Sequence, residues 1–228
     1  MLSNSNICIT VVGRTLESFL LKLKKAQTLA NFVELRVDYI QNINSEMLGV
    51  IAKHTNKKSI LCCRSRKDRG NFEGTLKEQN KILQSGNNLG FNYLDIDFAI
   101  VNKITIQNKK SKFILSYHDF KETLDLKELK TIVACMRDFK PDVLKFAVMA
   151  NSQTDVKTLF QLLLNKKENE NMIVLGMGNH GKITRLLAPL LGGYLTFASL
   201  EEVKSASGQI TYQLMNNFYH NLQEILDH

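Results

Sequence analysis

A lysine stands in the middle of a segment that otherwise predicts a buried β-strand. In DVLKFAVMANS, residues 142–152, a two-residue alternation places Lys145 between Val143 and Ala147 on one face, opposite an entirely apolar face. Desolvation and neighbouring cations lower the pKa of such an ammonium below its ordinary value of ~10.4. A neutral amine forms Schiff bases with ketones and aldehydes. The segment therefore predicts a nucleophilic Lys145, with snorkelling or pairing to a carboxylate as the structural alternative.

Ionisable side chains also lie at or near the ends of the other predicted strands. They are Glu34, Arg36 and Asp38 on strand two, Arg64 after strand three, Asp95 and Asp97 on strand four, His118 and Asp119 after strand five, and Arg185 after strand seven. Each alone has a structural explanation, such as an ion pair. Stability gives no reason for six successive strands to carry them at one end, so we predict an active site there, with His118 as the proton carrier.

The elements that must position these residues alternate between strands and helices. Eight β-like runs occur, at 7–12, 32–37, 59–63, 93–98, 113–117, 142–148, 172–177 and 194–199. Helical periodicity appears between most of them, as in 15–29, and again from Ile210 to Ile225. This alternation predicts an α/β fold, a (β/α)8 TIM barrel forming a single domain over residues 1–228. A doubly wound open sheet is the alternative.

Composition limits the classes of protein that the chain can belong to. Its 228 residues are 44% hydrophobic and 23% charged, as in a globular protein, and they contain no apolar run of ~20 residues, so we expect no membrane span. The start lacks a basic n-region, so we expect no secretory signal. The cysteines at 8, 62, 63 and 135 have no metal-ligand spacing and predict free thiols in a cytoplasmic protein, rather than a metal site or a disulfide framework.

Six motifs resemble type I 3-dehydroquinate dehydratases, and they run in the family's order from the first strand to the last helix. They are ELRVD at 34–38, CRSRKDRG at 63–70, SYHDF at 116–120, LKFAVMANS at 144–152, GMGNHGKITR at 176–185 and SASGQ at 205–209. The resemblance implies a (β/α)8 barrel that dehydrates 3-dehydroquinate to 3-dehydroshikimate in the shikimate pathway. It also implies that the enzyme needs neither a metal nor a cofactor.

The resemblance further implies a role for each matching residue. Lys145 would form the imine, and His118 would act as general acid and base, oriented by the two carboxylates Asp95 and Asp68. Arg185, Ser205 and Gln209 would bind the substrate carboxylate and close over it. The ring hydroxyls would be held by Glu34, Arg36 and Arg64.

Two other classes of protein compete with this interpretation. A Schiff-base class I aldolase on the same fold would also use a strand lysine, and GMGNHG could bind its phosphate. The arginines at 36, 64 and 185 favour a carboxylate and hydroxyls instead. The net charge of +8 and the cluster RSRKDR at 64–69 would suit nucleic acid, but Phe72 is the only aromatic residue beside that cluster. We therefore expect a small-molecule substrate, with no nucleic-acid or membrane partner. The oligomeric state stays open, a homodimer among the options.

Overall fold

The computed structural model describes residues 7–200 and 208–227, which form two compact units. The first unit is Ile9–Ile114. The second unit combines the described residues of Met1–Cys8 with those of Leu115–His228. Each unit alternates strands and helices as the sequence predicts. The single domain predicted over residues 1–228 stays a prediction.

The first unit is built on parallel strands with helices between them. In chain order its elements are β1 (Ile7–Val11, which begins in the second unit), α1 (Leu16–Leu29), β2 (Phe32–Arg36), α2 (Ser45–His54), β3 (Lys58–Cys62), α3 (Leu76–Leu89) and β4 (Tyr93–Asp97). β3 pairs in parallel with β2 on one side and β4 on the other. The register sets Arg36 beside Cys62 and Cys62 beside Asp95. Polar residues of three strands therefore lie level with one another.

The second unit continues the same alternation. Its elements are β5 (Lys112–Asp119, which begins in the first unit), α4 (Leu126–Arg137), β6 (Val143–Met149), α5 (Gln153–Leu164), β7 (Met172–Met177), α6 (Gly178–Leu187), β8 (Thr196–Ser199), β9 (Ile210–Thr211) and α7 (Tyr212–Asp227). β5 neighbours β6, β6 pairs in parallel with β7, and β8 pairs in parallel with β9. This arrangement places the ends of β5 and β6 side by side.

Local sequence signals start most of these helices where the structure has them. Thr15, Thr75, Asp125 and Ser152 each close a capping box with the residue three positions later. Such a cap satisfies backbone N–H groups that the helix leaves without a partner and contributes ~1 kcal/mol. Gly90 ends α3 in the left-handed conformation, with φ of 80°.

Strands β1, β2 and β7 are buried along their whole length. Burial on both faces is typical of parallel strands covered by helices. All eight predicted strands form, and one local prediction is wrong. Ile210 was expected in the last helix but lies on the short strand β9. A short 3-10 turn, Val101–Lys103, lies between β4 and β5. Among the described helices, none combines the length and the apolar character needed to cross a membrane.

Candidate active site

Lys145 is buried in the middle of β6, as its sequence context predicts. Lys145 is 4% exposed, and its Nζ lies 4.4 Å from the centroid of the Phe197 ring on β8. An aromatic face within this distance attracts an ammonium. The side chain therefore ends against the Phe197 ring, in a site with little access for water.

His118 lies on β5, the strand beside β6, and faces the same way as Lys145. The rings of Tyr117 and Phe146, whose centroids are 5.7 Å apart, pack together on one side of these two strands. Because successive side chains of a strand alternate between its faces, their neighbours His118 and Lys145 share the opposite side. The His118 ring stacks on Phe120, with centroids 6.0 Å apart and planes 18° apart. The histidine is half-buried, so part of its surface remains exposed to solvent.

Arg185 is held by a tight connection between β7 and α6. A Cβ on Gly181 would lie 2.2 Å from the backbone of Gly176, so this approach requires glycine. The Thr184 hydroxyl accepts from the Gly176 N–H at 2.7 Å and donates to the Gly181 carbonyl at 2.6 Å. Arg185 follows directly and is 3% exposed. These contacts fix the backbone from which its guanidinium extends.

Phe197 links Arg185 to Lys145. The Arg185 Nη1 lies 3.5 Å from the Phe197 carbonyl oxygen, and the Lys145 amine lies over the Phe197 ring. The Thr196 hydroxyl also donates to the Arg185 carbonyl at 2.7 Å. The structure therefore brings together, within one unit, the predicted imine-forming lysine and the predicted carboxylate-binding arginine.

Gln209 lies beside the same strand. It is 4% exposed and immediately precedes β9, which pairs with β8. The residue before it, Gly208, has a φ of 76°, and a Cβ there would lie 2.5 Å from the Gly178 carbonyl oxygen. Ser205, the other residue predicted for this loop, lies outside the described residues.

Sequence reasoning missed Phe197 and Ser199 on β8. Within 7–200 and 208–227, the buried Ser199 hydroxyl has no hydrogen-bond partner. Two-residue alternation places Ser199 on the same face as Phe197, nearer the carboxyl end of the strand. The sequence shows that Phe197 and Ser199 share one face of β8. It does not show that this is the face turned toward Lys145, so neither residue could be predicted as part of the site.

In the first unit, Arg64 is held between two neighbouring strands. Its Nε donates to the Cys62 Sγ at 3.3 Å and its Nη2 to the Asp95 Oδ1 at 3.1 Å. Glu34 is buried on the next strand and accepts from the Thr10 hydroxyl at 2.9 Å. Burial lowers the pKa of Arg64, but the nearby Asp95 and Cys62 together raise it by more. Its pKa therefore lies above the ordinary value, and the group stays charged.

Glu34, Cys62 and Asp95 form a group of side chains with the atoms of a metal site. Their ligand atoms lie within 4.8 Å of one another, and all three residues are buried. Arg64 is hydrogen-bonded to two of the three, and its guanidinium already supplies positive charge to the group. Burial raises the pKa of the Cys62 thiol to about 12, which disfavours the thiolate that binds metals best.

The remaining predicted residues of this unit lie at the end of β2 and after β3. Arg36 ends β2 and makes two hydrogen bonds of 2.8 Å to the Asp38 carboxylate. Asp68 is half-buried at the end of the 3-10 turn Arg66–Asp68 and accepts from the Ser65 hydroxyl at 2.7 Å. Arg36 is thus held tightly, while Asp68 keeps one carboxylate oxygen for other contacts.

These features are a buried lysine and a half-buried histidine on adjacent strands of an α/β fold, together with buried arginines. The family model for type I 3-dehydroquinase matches residues 7–226. The chain belongs to this family. A 3-dehydroquinate dehydratase of Coxiella burnetii is 55% identical over 225 residues, covering 99% of this chain and 97% of that protein. One from Methanococcus vannielii is 31% identical over 211 residues, covering 90% and 94%.

Solved structures show the same fold. The type I 3-dehydroquinate dehydratase of Clostridium difficile, with covalently modified comenic acid, has a TM-score of 0.87 at 22% identity, covering 96% of this chain and 93% of that one. The enzyme of Geobacillus kaustophilus has a TM-score of 0.88 at 23% identity, covering 96% and 91%. The predicted α/β barrel fold is therefore confirmed, and the doubly wound alternative is not supported.

Proposed function

We propose that Lys145 and His118 carry out the reaction of this family. The chain is a 3-dehydroquinate dehydratase, a hydro-lyase that converts 3-dehydroquinate to 3-dehydroshikimate and water. The observation that supports the proposed roles is the burial of Lys145 against Phe197, on the strand face shared with His118. A class I aldolase is not favoured by the family to which the chain belongs.

Lys145 supplies the electron sink. Its neutral amine attacks the C3 ketone, and the carbinolamine loses water to give an imine. The protonated imine withdraws electrons from C2 far more strongly than the ketone does, so the C2 proton becomes more acidic. Burial of the amine favours this step because a hydrated ammonium has no lone pair with which to attack.

His118 moves the protons. The imidazole takes a proton from C2, the enamine that forms expels the C1 hydroxyl, and the imidazolium returns a proton to that leaving group as water. Water then hydrolyses the imine and releases the product from Lys145. The half-buried position of His118 suits both the uptake and the return of a proton, because the ring lies on the strand beside the reacting lysine and is still partly exposed to solvent.

The other predicted residues bind and orient. Arg185 pairs with the substrate carboxylate, because a guanidinium provides two parallel donors in a site with little water. Gln209 and Ser205 complete that side. The ring hydroxyls are bound by Glu34, Arg36 and Arg64, while Asp95 and Asp68 orient His118. The burial of Arg64 and Asp95 and their mutual hydrogen bond support a preorganised polar surface.

The compartment and the partners follow from the same chemistry. The enzyme acts on a small molecule, and the mechanism routes no step through a metal or cofactor. We place it in the cytoplasm because Cys8, Cys62 and Cys63 are buried free thiols, which persist in reducing compartments. In this proposal it has no nucleic-acid or membrane partner, and a homodimer is one option for its oligomeric state.

Substitution of Lys145 tests the proposal directly. Formation of 3-dehydroshikimate is followed by the absorbance of its conjugated enone. Lys145→Ala removes the only group that can form the imine, so we expect essentially no turnover, with the far-UV circular dichroism of the parent retained.

A second strand lysine provides the control. Lys58 begins β3, is exposed and lies 5.2 Å from the Phe32 ring centroid, so it shares the aromatic contact but not the burial. Lys58→Ala should keep the parent turnover. Turnover by Lys145→Ala within tenfold of the parent rate would rule out Lys145 as the nucleophile.

A further inference from the structure

Asp38 makes contacts beyond those of an ordinary ion pair. Its Oδ1 accepts from Arg36 Nε and its Oδ2 from Arg36 Nη2, each at 2.8 Å. This side-by-side geometry fixes the orientation of the guanidinium as well as its charge. Asp38 lies on the 3-10 turn Val37–Tyr39 that follows β2, which lets side chains two residues apart meet.

The Arg36 guanidinium is also held from a second direction. Its Cζ lies 4.9 Å from the centroid of the Tyr39 ring. Arg36 is 9% and Asp38 3% exposed, so water competes little for either partner. Burial lowers the pKa of Arg36, but Asp38 more than offsets this and holds it well above the ordinary value. Arg36 therefore stays charged, and its two hydrogen bonds to Asp38 fix its orientation.

Asp38 also contacts the segment 64–72, which follows β3. The backbone N–H of Asn71 donates to Asp38 Oδ2 at 3.1 Å, the same oxygen that accepts from Arg36 Nη2. This segment, which we call the β3 loop, is closed by Phe72 N–H donating to the Arg64 carbonyl at 2.9 Å. A Cβ on Gly70 would lie 2.2 Å from that carbonyl oxygen, so the closure is tight.

We propose that Asp38 is a positioning residue for the dehydratase reaction. It locks the Arg36 guanidinium in the orientation that binds a substrate hydroxyl, and it ties this arginine to the β3 loop that carries Arg64 and Asp68. The Asp38 carboxylate thus connects the arginine that ends β2 to the loop that follows β3. The inference rests on the proposed function, because it requires Arg36 to contact substrate.

Asp38→Asn tests the inference. The amide has nearly the same shape, but its NH2 group faces the guanidinium and removes one of the two acceptors. Arg36 then loses its fixed orientation, and we expect KM to rise about tenfold or more while kcat falls less. Borohydride trapping at saturating substrate should still label Lys145, since imine formation does not use Asp38.

Glu170→Gln is the matched control. Arg137 and Glu170 form the same two-bonded pair, with both distances 2.8 Å, between α4 and the segment before β7. Nothing proposed for catalysis uses this pair. Glu170→Gln should therefore lower the melting temperature and leave KM within twofold of the parent. A KM change for Asp38→Asn no larger than that of the control would overturn the inference.

Arg36→Met separates positioning from a general structural effect. If Asp38 acts through Arg36, Asp38→Asn should change KM less than twofold in the Arg36→Met background. An undiminished effect there would refute the positioning role. An unchanged KM for Arg36→Met alone would also refute the positioning role. In that case, borohydride labelling of Lys145 in this variant would show that the proposed imine mechanism still holds.

Asp38→Glu extends the test if the amide variant does not fold. It keeps the buried charge but advances the carboxylate by one methylene, so the two hydrogen bonds to Arg36 and the bond from Asn71 cannot all persist. We expect a folded protein with a raised KM. A folded Asp38→Glu enzyme with the parent KM would show that the orientation of Arg36 does not depend on Asp38.

Discussion

The buried basic side chains proposed for the site differ in their contacts. Arg64 is compensated by Asp95 and Arg36 by Asp38, and both arginines remain charged. Lys145 lies over the Phe197 ring. A carboxylate partner stabilises the charge of each arginine. The Phe197 ring and the burial of Lys145 keep water from its amine.

His118 should be replaceable without loss of imine formation. In His118→Ala the lysine still attacks the ketone, but the C2 proton has no base, so we expect turnover to fall ~10²–10⁴-fold while the imine accumulates. Mass spectrometry after borohydride reduction measures the adduct, and the enone assay measures turnover. An enzyme that lacks His118 yet turns over within a few-fold of the parent would show that another group is the base.

The sequence could identify the residue types of the site but not all of their contacts. Lys145 was predictable because alternation within one strand exposes its anomaly. The contact of Arg64 with Asp95 depends on the register between β3 and β4, which no local pattern specifies. Phe197 was missed for the same reason, since its contact with Lys145 joins segments far apart in the chain.

At the scale of elements, glycines permit the close approaches that carry the binding residues. Gly176 and Gly181 bring β7 and α6 together ahead of Arg185, and Gly208 meets Gly178 ahead of Gln209. A side chain at these points would move the backbone that follows. The positions of Arg185 and Gln209, both proposed to bind the substrate carboxylate, therefore depend on these close approaches.

Gly208→Ala should impair substrate binding. Alanine is strained at a φ of 76°, and its Cβ would press on the Gly178 carbonyl, so Gln209 should shift. Displacements of this kind reduce kcat/KM by about tenfold to a hundredfold. Steady-state kinetics measure the loss.

Gly90→Ala is the control for backbone strain alone. Gly90 has a φ of 80°, but its added Cβ would meet nothing within 4 Å. It should lower stability by ~1 kcal/mol and leave kinetics unchanged. Equal kinetic effects of the two variants would disprove the link between Gly208 and the site.

Most elements were predictable because their signals are local. Capping boxes and apolar periodicity fall within single helices, and each of the eight strands is rich in apolar residues. β9 was not predictable, since two residues become a strand only by pairing with β8. Ile210 continues the apolar period of α7, so the pattern alone assigned it to the helix.

At the scale of the whole molecule, the net charge of +8 favours the approach of an anionic substrate. The arginines of the candidate site add a directional contribution, because their guanidinium groups are fixed by carboxylates or backbone carbonyls. We therefore predict that long-range attraction and short-range orientation act on the same substrate.

We predict that residues 1–228 unfold as one domain. Helix content, followed by far-UV circular dichroism, and the environment of the six tyrosines, followed by fluorescence, should then change in one coincident urea transition. The absence of tryptophan leaves tyrosine as the fluorescent probe. Two separated transitions, with Ile9–Ile114 unfolding independently, would contradict the prediction.

The central claim is that Lys145 forms the covalent intermediate. The most direct measurement is borohydride reduction during turnover of 3-dehydroquinate, followed by intact mass and peptide mapping. The account predicts one added mass of reduced ligand per chain, located on the peptide that contains Lys145 and absent without substrate. Labelling of any other lysine, or full turnover with no trapped adduct, would contradict it.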